Sequence, residues 1–98
     1  MSKIKVHDLK TWPGPFKAVA SGLKKFEFRL NDRNFEPGDY LRLMEYNPKT
    51  DKYTGNEELV RITYILHGGE FGVPPGYCTM SIRDLVDDEY NELFNHKP

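Results

Sequence analysis

A lysine, a glutamate and an arginine follow a glycine at fixed spacing in Gly22–Arg29, which reads G-x-K-x-x-E-x-R. Glu27 and Arg29 are two residues apart, so on a β-strand their side chains lie on the same face. Lys24 precedes them at the start of the segment, where its long side chain can extend over that face. Charges of both signs at a helix–strand junction form a polar pocket floor for a ligand that carries hydrogen-bond donors and acceptors.

The same charges also fit a simpler interpretation, a solvent-exposed strand face with a surface ion pair. Such a pair contributes only about 0–1 kcal/mol to stability. The apolar side chains of Phe26, Phe28 and Leu30 alternate with the charges and lie on the opposite face. In this interpretation the charged face is the solvated one.

The surrounding segments predict the elements that position the motif. An apolar stripe at helical spacing predicts a helix over 13–21, with Gly22 as its left-handed cap. Period-two alternation predicts strands over 3–7, 24–30, 40–46, 59–66 and 77–83, and a closing helix follows from residue 86 to residue 94. The order β-α-β-β-β-β-α favours an α+β fold in which helices flank the ends of a small, strongly curved or barrel-like sheet.

Length and composition limit the class of protein. A chain of 98 residues predicts one domain over 1–98. The single cysteine, Cys78, excludes an internal disulfide and a multi-cysteine zinc site, and it alternates inward on its strand, so we expect a buried structural thiol. No apolar run reaches the ~20 residues of a membrane span, and the first residues lack the apolar stretch of a signal peptide. We therefore expect a soluble, cytoplasmic protein without a cofactor.

The charge is distributed unevenly along the chain. Residues 1–49 carry ten Lys/Arg and six Asp/Glu, whereas residues 50–98 carry four and nine, and the halves sum to −1. Tight, sequence-independent binding of nucleic acid usually requires a basic excess over the whole domain. The composition therefore favours weak or selective binding through a local basic groove.

The G-x-K-x-x-E-x-R pattern resembles the signature of ASCH domains, a branch of the PUA-like superfamily of small β-barrels, many of which are linked to RNA. The resemblance extends over nearly the whole chain. Further segments are similar to a bacterial and phage subgroup, the domain of unknown function 3850 family: His7–Lys10 followed by Trp12 and Phe16, Pro37–Asp39, Gly68–Gly72 and Pro75–Cys78.

This resemblance implies a PUA-like, ASCH-type barrel of about five strands with two flanking helices. It also implies a cleft between the first helix and the barrel, which we expect to hold RNA or a nucleotide. There Lys24 and Arg29 would contact phosphate or base edges. Glu27 would accept a hydrogen bond from a base or hold Lys24, and Lys10 with Trp12 would line the rim.

Aromatic side chains are the second feature suited to RNA, because unpaired bases stack on them. The candidates for stacking on a base are Trp12, Tyr77 and Phe71. Of these, we predict that Trp12 and Tyr77 bind the ligand. Two of them have simpler alternatives: Trp12 anchors the first helix in the core, and Phe71 plugs the space beneath its loop.

The resemblance also implies an enzymatic alternative. Some ASCH relatives hydrolyse the acyl group of N4-acetylcytidine with the motif lysine, a threonine three positions later and a downstream glutamate. Lys24 matches the lysine and Glu70 is a possible match for the glutamate, which makes them the catalytic candidates of an amidohydrolase. The threonine position holds Glu27, which has no hydroxyl and is expected to pair with Lys24, favouring an ammonium over a nucleophile.

The remaining candidates are the histidines and the glycine-rich loop. His7, His67 and His96 are well separated and lack metal-ligand spacing, so we expect no metal site; His67 is a weak acid–base candidate and His96 is expected to be solvated. Residues 67–77 support a third hypothesis, a protein-interaction module of phage origin that uses this loop as its contact surface. The oligomeric state stays open.

Overall fold

Five strands form one curled half-barrel sheet in the computed structural model, which describes residues 4–94. The elements are β1 (Val6–Thr11), α1 (Pro13–Ala20), β2 (Phe26–Leu30), β3 (Tyr40–Asn47), β4 (Lys52–His67), β5 (Tyr77–Asp84) and α2 (Asp87–Phe94). The strand order is β1-β3-β4-β5-β2, with β1 and β3 parallel and the other pairs antiparallel. The predicted α+β class, with five curved strands and two helices, is confirmed.

Two strands, β1 and β4, differ from their predicted bounds by three residues or more. β1 begins later than the strand expected over 3–7 and continues to Thr11, paired with β3 from Val6 opposite Tyr40 to Thr11 opposite Glu45. The predicted start of that strand, Lys3, lies outside the described residues. β4 begins earlier than expected because the polar segment before it extends the antiparallel ladder with β3.

The core lies inside the curl of the sheet, beneath α1. Its buried side chains are Leu9, Phe16, Val19, Phe35, Leu41, Leu43, Val60, Ile62, Ile65, Cys78, Met80 and Ile82. The predicted inward face of β5 is confirmed. Cys78 is completely buried, and this desolvation raises the pKa of its thiol, as expected for a structural cysteine.

A bulge in β4 changes which side chains face inward. The register shifts between Ile62 and Tyr64. Val60 and Ile62 are buried before it, whereas Tyr64 is 65% exposed and Ile65 is buried after it. Strict alternation over the strand predicted at 59–66 places Tyr64 and Leu66 on the same face as Val60 and Ile62. This prediction is wrong beyond the bulge, since one inserted residue reverses the alternation.

α1 ends in a Schellman motif that turns the chain into β2. Gly22 adopts a left-handed conformation with φ of 83°, and its N–H donates to the carbonyl of Val19. The N–H groups of Leu23 and Lys24 both donate to the carbonyl of Ala18. Gly22, the first residue of the G-x-K-x-x-E-x-R pattern, is thus the helix cap that the sequence predicts, and the turn places Lys24 two residues before β2.

α2 is anchored to the sheet by ion pairs around Glu89, the buried residue of this helix. Its carboxylate accepts two hydrogen bonds from Arg83, at 2.7 and 2.9 Å, and one from Arg61 at 2.6 Å. The N–H of Val86 donates to it at 2.9 Å. These hydrogen bonds, those from Arg83 above all, hold the pKa of Glu89 well below its usual range.

Glu89→Gln is expected to lower the free energy of unfolding by about 2 kcal/mol at pH 7, because hydrogen bonds to charged groups contribute about 1.5–3 kcal/mol. The folded pKa lies below the unfolded value of about 4.3. The contribution is therefore present above that value and is lost as the pH falls towards the folded pKa. Urea unfolding of both proteins across this pH range measures the difference.

The matched control for this prediction is Asp88→Asn, which removes an exposed carboxylate from the same helical turn. We expect it to change the free energy of unfolding by less than about 0.5 kcal/mol. A Glu89→Gln effect that stayed constant as the pH fell below about 4 would contradict the ion-pair anchor.

Candidate functional site

An open cleft of about 440 Å³ lies between the two edge strands of the sheet, β1 and β2. Its volume falls within the range of about 300–1,000 Å³ that is typical of small-molecule sites. The cleft is lined by Lys10, Thr11, Trp12, Pro15, Lys24, Glu27, Phe28 and Arg29. Five of the six predicted ligand-binding residues are therefore brought together, and the sixth, Tyr77, lies outside.

Glu27 is the centre of the charged floor of this cleft. Its side chain is only 2% exposed. One carboxylate oxygen accepts a hydrogen bond from Lys24 Nζ at 2.7 Å, and the other accepts one from Arg29 Nε at 2.9 Å. Of the two roles expected for Glu27, holding Lys24 is the one present, and the carboxylate holds Arg29 as well.

β2 turns its charged face inward and its apolar face outward, which is the reverse of the simpler interpretation. Phe26, Phe28 and Leu30 are each about half exposed. Glu27 lies opposite Met80, whose side chain points into the core. The carboxylate tolerates this position because two cations neutralise it and donate hydrogen bonds to it.

Arg29 also joins the two edge strands across the opening of the half-barrel. Its Nη1 donates to the carbonyl of Lys10 at 3.0 Å and its Nη2 to the hydroxyl of Thr11 at 3.1 Å. Just beyond β2, Arg33 donates to the carbonyl of Asp8 at 2.6 Å. The two guanidinium groups give carbonyls at the free edge of β1 the partners that a further strand would otherwise supply.

Hydrogen-bond donors remain in the cleft after these internal contacts are counted. Lys24 has three N–H groups, of which two bond to Glu27 and to the carbonyl of Phe26 within the described residues. Arg29 has five, of which three are used within residues 4–94. With Lys10, the lining holds three cations and one carboxylate. This arrangement suits an anionic ligand rich in acceptor atoms.

Trp12 forms an aromatic wall of the cleft. This residue is 58% exposed, so the alternative that Trp12 anchors α1 in the core is wrong. The residues of α1 that are buried in the core are Phe16 and Val19. Phe28 is the other aromatic lining residue. Tyr77 is not part of the lining but stacks on Phe28, with ring centroids 5.4 Å apart and planes inclined by 11°.

The loop between β4 and β5 carries Glu70, which is a catalytic candidate from the sequence together with Lys24. Glu70 is exposed there and does not line the cleft, so Lys24 and Glu70 are not brought together in it. Phe71 is also almost fully exposed, and the expectation that it plugs the space beneath the loop is wrong. The shape of the loop depends on Gly68, where a Cβ atom would collide with the carbonyl oxygen of Pro74.

The two histidines within residues 4–94, His7 and His67, lie apart from the cleft lining. His7 Nε2 lies 2.9 Å from a carboxylate oxygen of Asp39, and its ring packs edge-on against Phe35. His67 ends β4, and His96 lies outside the described residues. Residues 4–94 contain no group of three or more side chains placed to hold a metal ion. No helix in this range is long and apolar enough to cross a membrane.

Three residues of the cleft lining, Thr11, Pro15 and Phe28, were not singled out from the sequence. Thr11 is buried, donates to the carbonyl of Leu9 at 3.2 Å and accepts from Arg29. There was no signal for Thr11, because the strand predicted over 3–7 ends four residues before it. For Phe28 there was no signal, because strand alternation assigns it to the face opposite Glu27.

A larger cavity of about 600 Å³ lies near α2, but its lining carries three carboxylates, Glu36, Asp39 and Glu92, against two cations, Lys5 and Arg61. Arg61 bonds Glu89 at 2.6 Å, and Lys5 lies 3.8 Å from Glu36. The cleft between β1 and β2 combines an excess of cations with an exposed indole, and it is therefore the better candidate for an anionic ligand.

Comparison with known proteins shows a family match over the part of the chain that contains the cleft residues. Residues 6–82 match the family described as "Domain of unknown function (DUF3850)", a segment that includes every cleft residue. An uncharacterized 12.9 kDa protein in the GpA 3′ region of Escherichia phage P2 is 41% identical over 59 residues, which is 60% of this chain. The match spans about half (52%) of that relative's length. Since the family match covers most of the chain, the chain belongs to the DUF3850 family.

Proposed function

We propose that this chain is an ASCH-type domain of the PUA-like superfamily that binds RNA or a free nucleotide in the cleft between β1 and β2. The observation that carries the proposal is the placement of Lys24 and Arg29 around buried Glu27 beside the exposed ring of Trp12. The G-x-K-x-x-E-x-R motif and the curled five-stranded sheet support the superfamily assignment. A cytoplasmic location fits a ligand of this kind.

The cations account for recognition of the phosphate. Lys24 and Arg29 retain three N–H groups after their internal contacts within the described residues, and charge-assisted hydrogen bonds to phosphate oxygens are strong. Glu27 holds both cations in place, which lowers the entropy lost when the ligand binds. The near-neutral net charge of the chain supports selective binding over general attraction to polyanions.

The indole accounts for recognition of the base. Trp12 is exposed where the cations converge, and base–aromatic stacking contributes about 1–3 kcal/mol per base. A phosphate alone would not use this ring, and an apolar ligand would not use the cations. A nucleotide uses both.

The geometry gives less support to the amidohydrolase alternative. Lys24 Nζ is held by Glu27 at 2.7 Å instead of being free to attack a substrate, and Glu70 does not line the cleft. Binding without hydrolysis is therefore the function that we propose.

Trp12 is the single tryptophan of the chain, so its fluorescence reports directly on the cleft. We expect uridine 5′-monophosphate to quench this fluorescence saturably at about 150 mM salt, where long-range attraction is screened. Ribose 5-phosphate, which lacks the base, should compete without quenching. The absence of a saturable change with either uridine 5′-monophosphate or single-stranded hexauridine would refute the proposal.

A further inference from the structure

Phe28 belongs to two surfaces at once. It lines the cleft, and on the outer face of the sheet it stacks almost parallel to Tyr77, at 5.4 Å and 11°. Both rings remain substantially exposed, Phe28 at 47% and Tyr77 at 38%. Their stack is therefore an open aromatic surface that begins where the cleft ends.

The outward positions of β2 and β5 around this stack carry apolar, aromatic and hydroxyl side chains and no acidic ones. The paired outward positions of β2 and β5 are Phe26 with Ser81, Phe28 with Thr79, and Leu30 with Tyr77. None of these six side chains is a carboxylate. The ammonium group of Lys24 lies 4.8 Å from the centre of the Phe26 ring, so one cation borders both the cleft and this face.

We infer that the ligand of the cleft is a single strand of RNA that continues onto the Phe28–Tyr77 stack, which we term the aromatic platform. This inference rests on the proposed function. One base stacks on Trp12 inside the cleft and its phosphate meets Lys24 and Arg29. The neighbouring base leaves the cleft past Phe28 and stacks on the platform.

The chemistry of the platform favours an unpaired strand over other ligands. Single-stranded nucleic acids are held by aromatic side chains beside a basic groove, and stacking tolerates any base. A duplex hides the faces of its bases and cannot use the platform. A mononucleotide occupies the cleft but does not reach the platform.

Tyr77→Ala is therefore expected to weaken the binding of hexauridine and to leave uridine 5′-monophosphate binding unchanged. The loss of one base–aromatic stack corresponds to an affinity decrease of about 5- to 150-fold. Fluorescence anisotropy of end-labelled hexauridine at about 150 mM salt measures the first affinity. Trp12 quenching measures the second.

Two further variants control for folding and for general aromatic effects. Tyr77→Leu keeps an apolar side chain in the sheet and should lose hexauridine affinity as Tyr77→Ala does, which keeps the test valid if the alanine variant unfolds. Tyr90→Ala is the matched control: Tyr90 is similarly exposed at 42% and stacks with Phe94 on α2, away from the cleft. It should leave both affinities unchanged.

The outcomes separate this inference from the proposed function. Equal affinity for hexauridine and uridine 5′-monophosphate, insensitive to Tyr77, would overturn the platform and leave nucleotide binding in place. Binding of neither ligand would overturn the proposed function and the inference together. A Tyr77→Ala variant that kept its RNA affinity but changed its sedimentation coefficient would show that the platform is a contact between copies of the chain, which also overturns the inference.

Discussion

Glu27→Leu is expected to lower the free energy of unfolding by about 3 kcal/mol, since breaking a buried ion pair typically costs about 3–5 kcal/mol. The side chains of Lys24 and Arg29 are 21% and 24% exposed and can be partly hydrated, which places the loss at the lower end of that range. For a chain of this length such a loss lowers Tm by roughly 12–24 °C. Urea unfolding followed by circular dichroism measures it.

A matched control separates this effect from the general cost of replacing a strand glutamate. Glu57→Leu removes an exposed carboxylate from β4 and should change the free energy of unfolding by no more than about 0.5 kcal/mol. If Glu27→Leu cost less than about 1 kcal/mol, Glu27 would not be the buried partner of two cations.

The second prediction with a large expected effect concerns the affinity of the cleft for a nucleotide. The triple variant Lys24→Met, Glu27→Leu, Arg29→Met is expected to remain folded and to bind uridine 5′-monophosphate at least about 100-fold more weakly. Replacing a whole buried charge network by apolar side chains of similar volume is often neutral for stability. Losing two charged hydrogen bonds to phosphate, at about 1.5–3 kcal/mol each, gives the loss of affinity.

The chain offers a control with the same change in net charge. Asp8 forms an exposed ion pair with Arg42 at 2.7 Å, and Arg33 donates to the backbone of Asp8. The variant Asp8→Leu, Arg33→Met, Arg42→Met removes two cations and one carboxylate that do not line the cleft. Its affinity should stay within about 3-fold of the wild type, and an equal loss in both variants would show general electrostatic attraction instead of a cleft.

The element order was predictable because each element carries its own periodic pattern. The helix cap at Gly22 and the inward face of Cys78 and Met80 follow from local rules of this kind. The type II turn before β3 also follows from a local rule, because Pro37 and Gly38 occupy its two central positions. Gly38 has φ of 94°, and the N–H of Asp39 donates to the carbonyl of Glu36, as in a turn of this type.

The orientation of β2 was not predictable from alternation alone. A period-two pattern shows that Glu27 and Phe28 lie on opposite faces, but it does not show which face is buried. Hydrophobicity favours burying Phe28. The outcome is the reverse because β2 is an edge strand beside β5, and because Lys24 and Arg29 neutralise the buried carboxylate.

The candidate site was predictable in so far as it is local in sequence. Lys24, Glu27 and Arg29 lie within six residues, so their spacing alone brings them together. Lys10 and Trp12 were predicted to line the site because of the family resemblance. Thr11 reaches the site only because β1 ends beside β2 across the opening of the half-barrel, which depends on the order of strands in the sheet.

The most direct test of nucleotide binding in the cleft is an amide NMR titration of ¹⁵N-labelled protein with hexauridine, at low salt and at about 150 mM salt. Binding in the cleft predicts saturable shifts at residues 10–12, 24 and 27–29 that persist at the higher salt, together with shifts at Tyr77 if the strand continues onto the platform. Shifts that spread over the whole surface and disappear at the higher salt would contradict a nucleotide-binding cleft, because they would show only general attraction between the basic half of the chain and the phosphates.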